Sequence, residues 1–232
     1  MKQHIKFIRV GVDLGRGKRL SRIFPSDYYH FIPIPKHNDP EFCRFTYGDI
    51  GRRRPNGRVA TKGRSLSKLR KNDVLVFYAG FDPEAGAKRR RIVGIFAYFV
   101  VREAFLFEQP YKGARAFCFS DKPASLDPFE VFDVESSSKT MKALISRYSH
   151  WNAHFCAGRK GMDLIICGKR KQSKLLSKIA VLGVFDGKHY KVNKQTAVRW
   201  GLKRGDDLKM SPVRTVPDEL VPSVWKELKN LV

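Results

Sequence analysis

Two long apolar runs lie close together in the chain and predict a pair of neighbouring, largely buried strands. The first spans residues 74–81 and the second residues 92–101, and both are rich in β-branched and aromatic side chains. The polar connector at 82–91 contains the Pro and Gly that hairpin loops use. No other stretch is as apolar over as many residues, so we expect this hairpin to form the core.

Shorter patterns on both sides of the hairpin predict further strands and a few short helices. Extended segments are expected at 6–12, 31–35, 116–119 and 163–167. Helices are expected at 139–147, 172–180 and 219–231, the last with Trp225 packed inward, and residues 197–216 are read as a turn that leads into a strand. The combination predicts an α+β fold, in which a mixed β-sheet or barrel core carries a few short peripheral helices. Residues 1–232 are interpreted as a single domain, with a sub-boundary near 120–138 as the alternative.

The segments around the hairpin also occur in a recognisable order. Leu66-Ser67-Lys68-Leu69 and Asn72-Asp73 precede the first apolar strand, a basic loop follows it, and Ile92-Val93-Gly94-Ile95 opens the second. This order resembles the barrel core of the pseudouridine-synthase-associated (PUA-like) nucleic-acid-binding folds. The resemblance implies a PUA-like barrel at the centre of the domain.

The charge balance narrows the range of partners. The chain contains 46 Lys and Arg against 22 Asp and Glu, which gives a formal charge of +24. Such an excess opposes compaction, and its usual reason is a polyanionic partner, because cations that neutralise phosphates release condensed counterions. An anionic membrane is the competing explanation, but the sequence has no long basic amphipathic helix, lipidation signal or membrane-spanning stretch. We therefore expect DNA or RNA as the partner and no membrane.

Compartment and metal binding follow from weaker signals. No signal peptide is recognisable, so a cytoplasmic location is expected. The four cysteines form no C-x-x-C pair, which argues against a zinc ribbon or a thioredoxin-like centre. His150 and His154 have the four-residue spacing of one helix face and Cys156 adds a possible soft ligand, but no fourth ligand follows at a fixed distance. No metal is assigned, and metal binding by these three residues stays open.

Two basic loops are predicted to contact phosphates. In residues 15–19, small glycines between cations let backbone amides approach a phosphate, although a plain surface loop would have the same composition. This loop lacks the Gly-Lys-Ser/Thr of a nucleoside-triphosphate site. Residues 52–58 form a second flexible basic segment. The cations predicted to bind nucleic acid in these loops are Arg16, Lys18, Arg19, Arg52, Arg53, Arg54 and Arg58.

Polar residues before the hairpin form two candidate groups. Arg9 and Asp13 lie on the same face of a strand, where they can jointly hold a polar ligand, and a surface ion pair is the alternative. His37 and Asp39 supply an imidazole and a carboxylate suited to proton transfer or to holding a base edge. For this second group the alternative is a turn that begins at Asp39.

A third group follows the hairpin. In an extended chain Asn152 and His154 lie on the same side, where Asn can read adenine and His can stack or transfer a proton. A buried core histidine is the commoner outcome for a single His. The aromatic residues Tyr47, Tyr78 and Trp151 are suited to stacking on a base that has been extruded from a duplex. The usual cofactor signatures are absent, and the cofactor stays unknown.

Taken in order, these pieces resemble a known family. They are Arg9-x-Gly11-x-Asp13, Pro33-Ile34-Pro35, His37-x-Asp39-Pro40, Tyr47-Gly48-Asp49, residues 66–81, Asn152-Ala153-His154 and residues 168–176 with Ser173. Together they look like the third of the nucleotide-modification-associated domain families, which is proposed to act in base modification of DNA. The match spans most of the chain and implies a role in modifying or processing nucleic-acid bases. The family's polar positions fall on Arg9, Asp13, His37, Asp39, Tyr47, Asp49 and His154.

Two residues depart from the pattern of that family. Asn152 stands where a second His is expected, which puts a paired-His mechanism in doubt. Asn72 replaces the Gly that is expected before Asp73.

The leading hypothesis is therefore a nucleic-acid-binding enzyme that modifies or processes one base of DNA or RNA. Its candidate catalytic residues are Asp13, His37, Asp39, Asp49 and His154, and further nucleic-acid contacts are expected from Arg9, Tyr47, Tyr78, Trp151 and Asn152. One alternative is a non-catalytic, PUA-like reader of modified bases or structured RNA. A second alternative is a restriction-type DNA glycosylase or nuclease. The oligomeric state is left open.

Overall fold

The computed structural model describes residues 3–10, 19–21, 28–32, 45–51, 65–66, 68–83, 90–108, 115–118, 162–209 and 212–232. In chain order its strands are β1 (Ile5–Arg9), β2 (Arg19–Ser21), β3 (Tyr28–Ile32), β4 (Thr46–Gly51), β5 (Val74–Pro83), β6 (Ile92–Glu108), β7 (Arg115–Cys118), β8 (Met162–Gly168), β9 (Lys174–Val184) and β10 (Arg214–Thr215). The described helices are α1 (Lys194–Trp200), a 3₁₀ turn at Asp218–Leu220, and α2 (Val221–Lys229). A mixed β-sheet with a few short helices confirms the predicted α+β class.

The chain divides into two compact units. The first contains Met1–Pro35, Val74–Tyr98 and Lys174–Val232, and the second contains Lys36–Asp73 and Phe99–Ser173. Strand β6 contributes residues 92–98 to the first unit and residues 99–108 to the second. The sub-boundary considered near 120–138 lies outside the described residues.

In the first unit a mixed sheet is built around β1 and β5. These two strands run parallel, with Ile5 opposite Val74 and Arg9 opposite Tyr78. Strand β10 pairs antiparallel with β1, and β6 is the neighbour of β5. Every residue of β1 and residues 74–81 of β5 are buried. The two apolar runs therefore form neighbouring core strands, as predicted.

Strand β9 overturns the helix predicted at 172–180. Residues Lys174–Val184 are a strand that pairs antiparallel with β6. Lys174 and Lys178 have the four-residue spacing of a helix face, but Leu176 and Leu182 are the buried side chains of this segment. Because the backbone of the buried strand β6 needs hydrogen-bonding partners, pairing within the sheet overrides the local helical pattern.

In the second unit β8 is the central strand. It pairs antiparallel with β4, from Cys167 opposite Thr46 to Met162 opposite Gly51, and with the second half of β6 on its other edge. Strand β7 pairs with the end of β6. Strands β7 and β8 confirm the extended segments predicted at 116–119 and 163–167.

Strand β6 is longer than predicted. It continues past residue 101 to Glu108, and its pairing with β8 is irregular between Val101 and Glu103. The charged residues at 102 and 103 predict that the strand ends there. In the structure the strand continues, and these residues lie at the irregular pairing. Among the described strands of each unit, no pairing closes the sheet into a barrel.

Two helices complete the described part of the first unit. Helix α2 confirms the predicted C-terminal helix, and Trp225 packs edge-on against Tyr98 with ring centroids 5.4 Å apart. Helix α1 overlaps the first four residues of the segment 197–216 that is read from the sequence as a turn leading into a strand, and β10 is a strand at the end of that segment. Asn193 caps it by accepting a hydrogen bond from the N–H of Thr196 at 2.8 Å, and Gly201 ends it with a φ of 61°.

The helix predicted at 139–147 lies outside the described residues. Within the part of the chain that is described, no helix is long and apolar enough to cross a membrane.

Candidate functional site

Most residues that the sequence analysis assigns to a site lie outside the described part of the chain, and their roles stay predictions. These are Asp13, Arg16, Lys18, His37, Asp39, Arg52, Arg53, Arg54, Arg58, Trp151, Asn152 and His154, together with His150 and Cys156. Arg19 lies in β2 and Asp49 in β4, and their backbones alone are described. The side chains of Arg9, Tyr47 and Tyr78 are described, and Arg9 and Tyr78 belong to one polar cluster.

Arg9 ends strand β1 and holds a loop in place. Its guanidinium donates hydrogen bonds to the backbone carbonyl of Leu208, at 3.0 Å, and to that of Lys209. The side chain is buried, and this burial lowers the pKa of Arg9. The guanidinium also lies 6.0 Å from the centroid of the Tyr190 ring. Arg9 therefore anchors the loop at 208–209 to the first strand.

Tyr78 lies opposite Arg9 in the parallel ladder and contacts a second arginine. Its hydroxyl accepts a hydrogen bond from Arg214, whose guanidinium carbon lies 5.8 Å from the ring centroid. Burial raises the pKa of Tyr78, and the positive charges of Arg214 and Arg9 oppose that rise. Because the ring is fully buried, stacking on a base would require neighbouring side chains to move.

Asp207 is the main acceptor of the same cluster. Its Oδ2 lies 2.6 Å from Nδ1 of His189, and its Oδ1 accepts from the backbone N–H groups of Tyr190, at 3.1 Å, and Lys209, at 2.9 Å. Partial burial raises the pKa of Asp207, but these three hydrogen bonds outweigh it and lower the pKa to about 2. A carboxylate only accepts, so Nδ1 of His189 carries the proton.

The two arginines direct their hydrogen bonds at the same loop. Besides the contacts of Arg9, Arg214 donates to the backbone carbonyl of Asp207 at 2.8 Å and lies 3.4 Å from the carboxylate of Asp206. The cluster therefore acts first as a clamp that fixes the loop on the sheet. Its chemically versatile member is His189, which is 34% exposed and paired with a carboxylate, an arrangement that supports proton transfer.

Tyr47 lies in the second unit, in strand β4. It stands opposite Ile166 of β8 and is 2% exposed, so its ring belongs to the packed interior. The backbone of Asp49 lies two residues further along the same strand, opposite Leu164.

The second unit also carries two short basic turns, one before β5 and one after β8, which we call the basic double turn (residues 68–72 and 168–172). Its cations are Lys68, Arg70, Lys71, Lys169, Arg170 and Lys171. The exposed ones are Lys68, Lys71, Arg170 and Lys171, and none of these four has an ion-pair partner among the described residues.

Backbone hydrogen bonds hold both turns on consecutive residues of β6. The N–H of Asn72 donates to the carbonyl of Val101 at 2.9 Å, and the N–H of Lys169 donates to the carbonyl of Val100 at 2.7 Å. The ammonium of Lys169 then donates to the side-chain carbonyl of Asn72. The two turns are thus joined to the same strand and to each other.

The acid nearest in sequence to the first turn is buried beneath it. Asp73 is buried, and its carboxylate accepts a hydrogen bond from the backbone N–H of Arg70 at 2.7 Å. Burial lowers the pKa of Arg70, and the charge of Asp73 acts in the opposite direction. Asp73 therefore shapes the turn from within the protein.

Sequence reasoning missed His189, Asp207 and Arg214 as a group, because they come together only through the fold. It also missed the basic double turn, although each run of cations is visible beside a predicted strand boundary. No group of three or more His, Cys, Asp or Glu within the described residues is arranged to hold a metal ion.

No family model matches the chain, and neither a curated protein nor a solved structure matches it.

Proposed function

We propose that this protein binds nucleic acid and acts on one nucleobase of DNA or RNA. The observation that supports the proposal most directly is the way the described surface presents charge. Several carboxylates are bound by groups of the protein itself, whereas many cations face solvent. A chain with a formal charge of +24 and this arrangement attracts polyanions.

Several of the described carboxylates have partners within the protein. Asp186 accepts hydrogen bonds from the backbone N–H groups of Lys188, at 2.8 Å, and His189, at 2.6 Å. Asp207 is bound by His189 and two N–H groups, and Glu227 pairs with Arg199 at 2.7 Å. The exposed cations include Lys68, Lys71, Arg170, Lys171, Lys178, Lys188, Lys191, Lys194, Lys203, Arg204 and Lys226. Their field is therefore available to a partner.

The enzymatic part of the proposal rests on the resemblance to the nucleotide-modification-associated family. In this proposal His37, Asp39, Asn152 and His154 act in a pocket that receives one extruded nucleotide. The proposal also includes a PUA-like barrel within the mixed sheet and a cytoplasmic location for the protein.

A non-catalytic reader is the second candidate function. It is favoured because the side chains of Arg9, Tyr78 and Arg214 have structural contacts. The two arginines donate to carbonyls of the loop, and Arg214 also donates to the buried hydroxyl of Tyr78. Binding through exposed cations requires no chemistry at all, so a protein of this kind can recognise nucleic acid without changing it.

The test is incubation of the purified protein with DNA and with RNA, followed by nucleoside mass spectrometry with and without cell extract. The proposal predicts a changed nucleoside with the wild-type protein and none with an Asp39→Ala/His154→Ala variant that still binds. Binding without any changed nucleoside would favour the reader. Strand breaks in plasmid DNA would favour the glycosylase or nuclease, and absence of binding would refute the nucleic-acid partner.

A further inference from the structure

We propose that the basic double turn (residues 68–72 and 168–172) is a docking surface for the phosphate backbone of nucleic acid, and that it binds without reading sequence. This inference rests on the proposed nucleic-acid function and names a surface that serves it. None of the residues in these two turns is among the nucleic-acid contacts expected from the sequence.

The first support is charge density. Six of the ten residues in the two turns are Lys or Arg and none is Asp or Glu. Asp73 follows the first turn directly, but it is buried and accepts the N–H of Arg70. The surface therefore keeps a high net positive charge, and such a surface releases counterions when it meets phosphates.

The second support is rigidity. Val100 and Val101 are buried neighbours on β6, and their carbonyls accept the N–H groups of Lys169 and Asn72. The N–H groups of the same two valines are also used: that of Val101 donates to the carbonyl of Asp73 at 2.8 Å, and that of Val100 to Ser173 Oγ at 3.1 Å. Both turns are therefore fixed before a ligand arrives, which reduces the entropy lost on binding.

One position in each turn requires a particular kind of residue. Asn72 has a φ of 77°, a left-handed conformation that Gly and Asn tolerate best. At Gly168 a Cβ atom would lie 2.6 Å from Ser173 Oγ and 3.0 Å from the Phe99 ring. Phe99 is packed in turn against Phe45, with ring centroids 5.6 Å apart. Tightly packed side chains therefore support the second basic turn at Gly168.

Lys169 joins the two turns and can also contact a phosphate. An ammonium group has three N–H donors, and the contact with Asn72 uses one of them. The remaining donors can contact a phosphate while the side chain still joins the two turns. The contact with Asn72 therefore holds the Lys169 ammonium in a position from which it can also donate to a phosphate.

The composition of the surface favours contact with a phosphate backbone over stacking on bases and over insertion into a bilayer. Neither turn contains an aromatic residue that could stack on a base. Leu69, the apolar residue of the first turn, is fully buried, so the surface offers no anchor to the acyl chains of a bilayer. Contacts to the backbone position a nucleic acid but carry no sequence information.

Two variants of the full chain with the same loss of charge test the surface. The turn variant carries Lys68→Gln, Lys71→Gln, Arg170→Gln and Lys171→Gln. The control variant carries Lys194→Gln, Lys203→Gln, Arg204→Gln and Lys226→Gln, and all eight side chains are exposed. Each variant loses three Lys and one Arg. Urea unfolding confirms that both are folded, and fluorescence anisotropy measures affinity for two short DNA duplexes of unrelated sequence.

The turn variant should bind both duplexes at least about tenfold more weakly than wild type. Its slope of log affinity against log salt should become shallower by about 0.9 for each phosphate that the variant no longer neutralises. The control variant should stay within about threefold of wild type, because its substitutions leave all six cations of the basic double turn in place. Equal weakening by both variants would overturn the surface assignment while leaving nucleic-acid binding intact. Strong preference of the wild type for one duplex would overturn the claim that binding ignores sequence.

Failure of the proposed function has a different signature. If the wild-type protein binds neither duplex nor single-stranded RNA, the nucleic-acid function fails and the surface assignment fails with it. Phosphatidylserine vesicles and heparin are included as competing polyanions. Binding to either of them in the absence of nucleic-acid binding would replace the proposal with a membrane or glycan partner.

Discussion

The ammonium of Lys169 donates a hydrogen bond to the side-chain carbonyl of Asn72, 97 residues away in the sequence. This contact joins two basic turns that strand β6 already holds through the backbone at Val100 and Val101. Charges that are separate along the chain therefore form one surface in the second unit. The proposed docking surface for phosphates depends directly on that arrangement.

Substitutions at Asn72 should separate the backbone requirement from the side-chain contact. Asn72→Ala places a Cβ-bearing residue without a polar side chain at a φ of 77°, and we expect it to lower the free energy of unfolding by about 1–2 kcal/mol relative to Asn72→Gly. Both substitutions remove the hydrogen bond with Lys169, so their difference measures the conformational cost alone. Urea unfolding provides the measurement, and equal stability of the two variants would contradict the left-handed assignment.

Gly168→Ala should destabilise the second unit. The new Cβ atom would lie 2.6 Å from Ser173 Oγ and 3.0 Å from Phe99, so one of these neighbours has to move. We expect a loss of about 1–3 kcal/mol in the free energy of unfolding, the usual cost of overpacking. Gly183→Ala is the matched control, because its Cβ would meet nothing closer than 3.5 Å. A Gly168→Ala protein as stable as that control would show that the turn does not require Gly.

Arg9→Lys should weaken the fold and leave nucleic-acid binding unchanged. Both contacts, with the carbonyls of Leu208 and Lys209, come from one guanidinium nitrogen that lies one bond further from Cα than a lysine ammonium does. Each hydrogen bond to a charged group contributes about 1.5–3 kcal/mol. Thermal unfolding should show the loss, whereas duplex affinity measured well below the melting temperature should match wild type. A tenfold decrease in affinity with unchanged stability would instead place Arg9 in contact with the ligand, as the sequence pattern indicates.

Acid should weaken the clamp at Asp207. Its pKa is lowered to about 2 in the folded protein, whereas an unperturbed Asp has a value of about 3.9. The stabilisation is therefore complete above about pH 4 and is lost as the pH falls towards 2. Asp207→Asn should be less stable at neutral pH and should lose less stability between pH 4 and pH 2. Thermal melts across that range test this, and parallel curves for the two proteins would refute it.

The core could be predicted from the sequence because its signal is local. Residues 74–81 and 92–101 are apolar and rich in β-branched and aromatic side chains, and they are the buried strands β5 and β6. The helix prediction for β9 is wrong because Lys174 and Lys178 imitate a helical face, whereas pairing with β6 decides the conformation. Pairing with a distant strand leaves no local pattern in the sequence.

The candidate site was harder to predict for the same reason. Asn72 stands in place of an expected Gly, and its positive φ explains why those two residues can replace one another there. Its contact with Lys169, however, depends on both turns meeting at residues 100–101 of β6. The clamp around Asp207 likewise forms only when β1, β5 and the loop at 206–209 come together.

The most direct test of the central claim is the salt dependence of nucleic-acid affinity for the wild-type protein. Duplex DNA and single-stranded RNA are titrated by fluorescence anisotropy at a series of salt concentrations. The account predicts a steep linear fall of log affinity with log salt, with a slope of about −0.9 for each duplex phosphate contacted. A flat dependence, or no binding at low salt, would contradict it.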